Sequence, residues 1–305
     1  MVPDALIREL SPTVERLLER HLASTREWFP HELVPYDEGR TFQDGVVWSE
    51  SDSALDLTAA MRSALFVNLL TEDNLPYYFR DVDRLFGAAG AWGEWARRWT
   101  AEEGRHSIVI RDFLTVTRAL DPVELERGRM AQVSGGEAPA PGGPHHALVY
   151  LSLQELATRI SHRNTGVLLG NGSPAYEIMS RVAADENLHY LFYRDVASAA
   201  LAIDPSEMVI AIEDVVRTFA MPGTGIPNFE AHAAVIARAG IYDLNVHHDQ
   251  ILVPVVLRQW KVQELSGLSD DAEMARDSLL ERISRTGRIG ARLAERRQSS
   301  DSVST

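Results

Sequence analysis

Two segments, Glu103-Gly-Arg-His106 and Glu186-Asn-Leu-His189, place a carboxylate and an imidazole three residues apart, where a helix turns both to one side. Each segment is preceded by a lone glutamate at the same distance: Glu72 lies 31 residues before Glu103, and Glu155 lies 31 residues before Glu186. That is enough chain to finish a helix, turn and return antiparallel to it. Two such pairs would aim four carboxylates and two imidazoles at one point inside a bundle, the ligand set of di-iron and di-manganese carboxylate centres. Solvated helix faces also carry glutamate and histidine, but they have no reason to repeat the whole spacing. Four glutamates would balance the charge of two divalent ions, so such a set can be buried with metal and only at great cost without it. Mixed carboxylate and imidazole ligands suit iron or manganese, and the chemistry they support is that of dioxygen.

The elements that must position these residues read as helices almost throughout. Ser11 to Ser24 opens with Ser-Pro and carries apolar residues at helical spacing. A helical pattern holding Glu72 runs from Ser53 to about Phe86, with Pro76 placed to kink it. Glu103 and His106 fall in a helix that follows Gly87–Gly93 and ends near Leu120, and Asp121-Pro122 restarts another. Ser134 to Pro144 is rich in Gly, Pro and Ala without periodicity, and is expected to be a mobile linker between the two motif halves. Helices are then expected at His145–Leu169, Pro174–Ala202, Pro205–Ala220, Glu230–Ala239, Val246–Leu265 and Asp270–Arg297. No stretch shows the sustained alternation of a sheet. Because neither motif half completes the ligand set alone, residues 1–297 are read as one domain and 298–305 as a disordered polar tail.

Composition narrows the function further. The 305 residues are 45% hydrophobic, ample for a core, yet the apolar runs, such as Ala64–Val67 and Ile251–Val253, are far too short to span a bilayer. The N-terminus, MVPDALIREL, resembles neither a secretory signal nor a transit peptide. The expectation is a cytoplasmic, non-membrane protein. The absence of cysteine excludes disulfides, iron–sulfur clusters, thiolate-bound zinc and thiol nucleophiles. A net charge of −14 argues against a nucleic-acid partner. An acidic protein partner would need a local basic patch, for which Arg97-Arg98 and the stretch from Arg118 to Arg129 are candidates. No Gly-x-Gly-x-x-Gly follows a strand, so electrons must come from a separate donor.

The sequence around the ligands resembles the soluble acyl-acyl-carrier-protein desaturases, especially their mycobacterial and related actinobacterial members. The resemblance is carried by Thr71-Glu-Asp-Asn-Leu-Pro76, Trp99-Thr-Ala-Glu-Glu-Gly-Arg-His106, Gln154-Glu-Leu-Ala-Thr-Arg-Ile-Ser-His-Arg-Asn-Thr165 and Ala184-Asp-Glu-Asn-Leu-His189-Tyr-Leu-Phe-Tyr-Arg-Asp195, with Asp121-Pro-Val-Glu-Leu-Glu126 and Met221-Pro-Gly223 outside the site. It implies an all-α, ferritin-like bundle of about eleven helices with a di-iron site inside a four-helix core. It implies that Glu72 and His106 serve one iron, that Glu155 and His189 serve the other, and that Glu103 and Glu186 bridge them. Asp73 and Asp185 would accept the ring N–H of a ligating histidine, with Trp28 extending one such chain. Thr158 would supply a hydroxyl on the oxygen side, and His162 would support the site without being a ligand. The implied reaction inserts a cis double bond into an acyl chain borne on acyl carrier protein, using two irons, dioxygen and a ferredoxin-type electron donor, in a homodimer.

Other readings are a hydroxylase or N-oxygenase on the same scaffold, favoured by a wide polar pocket, an iron-storage protein, and a degenerate desaturase kept as a binding partner. Trp28 and Trp99 read equally as core aromatics. His145-His146 and His247-His248 lack carboxylates at ligand spacing and are expected at the surface. Two features depart from the resembling family. Gly104 lies inside the first Glu-x-x-His, where glycine costs a helix about 1 kcal/mol. Arg80 and Arg84 fall near the expected acyl channel, where each must face solvent or pair with an acid such as Asp81 or Asp83.

Overall fold

The computed structural model describes residues 5–43, 47–136, 138, 141–223 and 225–301. Among them are eleven α-helices and no strand. Four helices begin with proline as their first residue, where its missing N–H has no partner to lose. They are α5 (Pro122–Gly135), α6 (Pro144–Leu169), α7 (Pro174–Ile203) and α8 (Pro205–Thr218). Asp121, Ser173 and Asp204 cap three of them by accepting from Val123, Tyr176 and Glu207 backbone N–H groups.

The first helix, α1 (Ala5–Ser24), starts earlier than the Ser11-Pro12 pair suggested and carries Pro12 inside it. Pro12 is exposed, so the carbonyl it leaves unpaired can meet water, while Leu6, Ile7, Leu10, Val14, Leu17 and Leu18 bury one continuous stripe. That stripe packs on α4 (Gly90–Val116) and α7. The expected helix from Ser53 to Phe86 is divided into α2 (Ala59–Glu72) and α3 (Leu75–Phe86). Pro76 sits in the first turn of α3, so the chain restarts a helix there instead of kinking through one. The path from Glu72 to Glu103 therefore contains a whole extra helix, whereas α6 and α7 are joined by the short turn expected around Gly170–Ser173.

Helices α2, α4, α7 and α6 close a ring, each in contact with the next. The core around them includes Trp92, Trp95, Leu153, Phe192 and Tyr193 on one side and Leu65, Leu69, Ile110 and Ile178 on the other. Helices α8, α9 (Phe229–Arg238), α10 (Leu244–His247) and α11 (Asp270–Asp301) pack around the ring; α10 runs directly into a π-helical stretch, His248–Gln259. The helix α11 continues past Arg297 to Asp301, into the segment expected to be a disordered tail; residues 302–305 lie outside the described ones, as do 137, 139 and 140 of the expected linker. No helix among the described residues is long and apolar enough to cross a membrane.

Candidate metal centre

Glu72 is the last residue of α2, Glu103 and His106 lie mid-way along α4, Glu155 mid-way along α6, and Glu186 and His189 on α7. All six are buried. Their ligand atoms gather into two overlapping groups, Glu72/Glu103/His106/Glu186 and Glu103/Glu155/Glu186/His189, with the atoms of each within 4.8 Å of one another. Glu103 and Glu186 belong to both. Nδ1 of His106 lies 3.3–3.5 Å from carboxylate oxygens of Glu186, Glu103 and Glu72, and Nδ1 of His189 lies 2.8 Å from Glu103.

The cluster is short of partners in the way a cation site would be. Oε1 of Glu103, Oε2 of Glu155 and Nδ1 of both His106 and His189 are buried without a well-aligned hydrogen bond. Each such atom costs about 1–3 kcal/mol unless something satisfies it. Protons otherwise do that work. Burial, with the charges of Glu186 and Glu103, pushes the Glu155 carboxyl well above the usual range. Burial alone would lower the pKa of His189, but hydrogen bonds to Glu102 and Glu103 outweigh it and raise it to about 10. His106 is raised in the same way by Glu103 and Asp185. Metal ions would replace these protons and occupy the orphaned atoms together, so the residues fit a two-metal group.

Both histidines turn Nδ1 to the cluster and Nε2 outward to a carboxylate. His106 Nε2 lies 3.5 Å from Asp185, whose Oδ2 accepts from Trp28 Nε1 at 2.9 Å and from Arg105 at 3.1 Å. Arg105 also stacks over the Trp28 ring. His189 Nε2 donates to Glu102 at 3.0 Å, and Glu102 accepts in turn from His21 at 2.9 Å and Arg98 at 2.6 Å. Asp73 is not at this position: it pairs with Arg129 at 2.9 Å and meets neither ligand histidine. Its side chain leaves the end of α2 toward α5, so Glu102 fills the place that the resemblance assigned to Asp73.

Glu102 and His21 were missed, although the pattern contains a signal for the first. Both motifs read acid-Glu-x-x-His, Glu102-Glu103 and Asp185-Glu186, and each leading acid reaches the other motif's histidine. Trp99, read equally as a core aromatic, donates Nε1 to Glu155 at 3.1 Å. His162 Nε2 donates to Glu72 at 2.7 Å, and together with His106 it holds the Glu72 carboxyl below its usual pKa against the effect of burial. Thr158 donates to Glu186 at 2.9 Å.

Outside the cluster, His145 and His146 are half-buried beside Asp204 and Asp214, not fully at the surface as expected. His247 departs further: it is buried, stacked on Phe219 and hydrogen-bonded to Tyr242 at 2.8 Å, because α10 turns it inward. Arg98 pairs with Glu102, whereas the exposed Arg97 donates to the neutral Ala88 carbonyl and keeps its charge at the surface. Arg80 and Arg84 are both about half exposed and pair with Asp81. A Cβ at Gly104 would meet nothing within 4 Å.

Two cavities reach the cluster, and both are lined by Thr71, Glu72 and Thr158. The narrower, about 40 Å³, runs between α3 and the first half of α6 past Val82, Leu85, Ala147 and Leu151. The wider, about 260 Å³, opens beside Val67, Met221, Phe229 and Ile236. Tyr78 and Tyr150 line the narrow one, but their hydroxyls are bound to the carbonyls of Pro222 and Ala220.

A sequence profile described as fatty acid desaturase matches residues 4–305. The chain belongs to the fatty acid desaturase family. Among its relatives, the Mycobacterium tuberculosis protein DesA1, named as an acyl-[acyl-carrier-protein] desaturase, is 42% identical over 284 residues, covering 90% of this chain and 83% of that one. The chloroplastic stearoyl-[acyl-carrier-protein] 9-desaturase of Gossypium hirsutum is 30% identical over 318 residues, covering 98% of this chain and 79% of that one. The X-ray structure of DesA2 from M. tuberculosis is similar with a TM-score of 0.70 at 26% identity, covering 89% of this chain and 99% of that chain. The bundle is thus that of a desaturase, and it holds a buried Glu/His cluster.

Proposed function

We propose that this desaturase inserts a cis double bond into an acyl chain carried as a thioester on acyl carrier protein. The observation that carries the reading is the narrow, largely apolar cavity that runs along α3 and α6 and ends on the Glu/His cluster. A hydroxylase or N-oxygenase of small polar molecules would want a wider pocket with convergent polar groups. Here the tyrosine hydroxyls that could supply them are bound to backbone. The names of the relatives point to the same substrate class.

Glu72 and His106 would hold one iron ion, Glu155 and His189 the other, with Glu103 and Glu186 across both. When bound, the pair of irons supplies two-electron reduction of dioxygen. The overall reaction, CH₂–CH₂ + O₂ + 2e⁻ + 2H⁺ → CH=CH + 2H₂O, requires two electrons, which a ferredoxin-type donor would deliver. The chain's own residues do the rest. Asp185 and Glu102 fix the tautomer and the tilt of the two histidines. Thr158 holds a hydroxyl proton against Glu186 beside both cavities and can pass it inward. Val82, Leu85 and Leu151 exclude water, and Glu72 and Thr158, which line both cavities, mark where two adjacent methylenes would lie beside the cluster. We also propose a homodimer as the working form.

Mass spectrometry of lipids released after incubation with saturated acyl carrier protein thioesters, iron, reductant and dioxygen tests the reading. A product two mass units lighter with one cis double bond is expected. A product heavier by one oxygen atom would place the chain among the hydroxylases instead.

A further inference from the structure

The narrow cavity has one feature that an alkyl chain does not welcome. Along α3 its wall reads Tyr78, Asp81, Val82, Leu85 and Phe86, a run of about 12 Å at 1.5 Å per residue. Asp81 stands between the end near the cluster and the apolar far end. Its carboxylate is buried, yet its partners lie outside: Arg80 at 3.3 Å and Arg84 at 3.7 Å both have side chains more than half exposed. Arg80 meets both carboxylate oxygens and Arg84 one of them, so the acid is held from the solvent side while the residue still lines the cavity. A methylene chain that passed Asp81 would strip the remaining hydration from a charged group and return no hydrogen bond.

We propose that Asp81 sets how far the acyl chain extends along α3, by disfavouring unbranched apolar tails that reach past it. This rests on the acyl reading above and adds the residue that selects chain length.

The test is a binding ladder. Saturated acyl chains of increasing length on acyl carrier protein are titrated into iron-loaded, oxidised protein without reductant, so that nothing turns over. Each methylene that meets an apolar wall should tighten binding about fourfold. In the wild type that gain should stop at the chain length that reaches Asp81. In Asp81→Leu it should continue through the next several carbons, and Asp81→Asn, which keeps the shape and removes the charge, should fall between them. Equal gains per methylene in wild type and both variants would overturn the proposal while leaving the acyl reading intact. No gain with length in any of the three proteins would overturn both.

Discussion

Helix α6 runs unbroken through Glu155, whereas the helical path bearing Glu72 stops at that residue and restarts as α3. Both glutamates stand at the same sequence distance from their Glu-x-x-His partner, yet one interval is spent on a continuous helix and a turn, the other on a broken helix and a second segment. The break has a use. It lets α3 set its own apolar face, Val82 and Leu85, along the cavity that leads to the cluster. The unbroken α6 forms the facing wall of that cavity through Ala147, Leu151 and Thr158. The outer carboxylates differ too: Glu102 is drawn tightly by His189, His21 and Arg98, while the shorter Asp185 lies 3.5 Å from His106 and depends on Trp28 and Arg105 for its place.

That contrast can be broken at its strongest point first. Glu102→Ala and Asp185→Ala should each lower metal affinity by ten- to hundredfold, measured by chelator competition. Glu102→Ala should be the worse, because Glu102 bonds its histidine at 3.0 Å whereas Asp185 stands 3.5 Å from His106. Asp73→Ala, which severs only the contact with Arg129, should leave affinity within twofold. A large loss at Asp73 and none at Glu102 would reverse the assignment.

Buried histidines sharpen the same distinction between the cluster and the surrounding packing. Hydrogen bonds to carboxylates raise the pKa of His189 to about 10 against its burial, but burial, with His248 nearby, pushes His247 down to about 4. Its unfolded form binds a proton near pH 6.5, so stability should fall as pH drops from about 6.5 toward 4, by about 2 kcal/mol at pH 5. Denaturant titrations of wild type and His247→Gln across that window should differ by this slope. The smallest effect belongs to Gly104. A Cβ there meets open space on α4, so Gly104→Ala should stabilise the protein by about 0.5–1 kcal/mol with metal content unchanged.

Much of the site was legible because its residues obey helix geometry. Glu-x-x-His is a local pattern, and a helix places both side chains whatever surrounds it. The fold class was legible for the same reason, through apolar spacing and prolines at helix starts. What was not legible depended on tertiary placement. The resemblance makes the i+1 neighbour of Glu72 an outer carboxylate, but α2 ends there and Asp73 turns toward Arg129. His21 lies 81 residues from Glu102, and nothing local links them. His247 looked like half of a surface pair until α10 turned it onto Phe219. Pro12 looked like a helix start, but the buried stripe of α1 outweighs one missing N–H.

The most direct test of the central claim is metal content with the coupling between the ions. Wild-type protein reconstituted anaerobically with Fe(II) should bind two iron ions per chain and give the spectroscopic signature of a coupled pair. Glu103→Ala and Glu186→Ala should each lower occupancy at both positions, since each residue belongs to both ligand groups. A single, uncoupled iron in the wild type, or loss of only one iron when Glu103 or Glu186 is removed, would contradict the account.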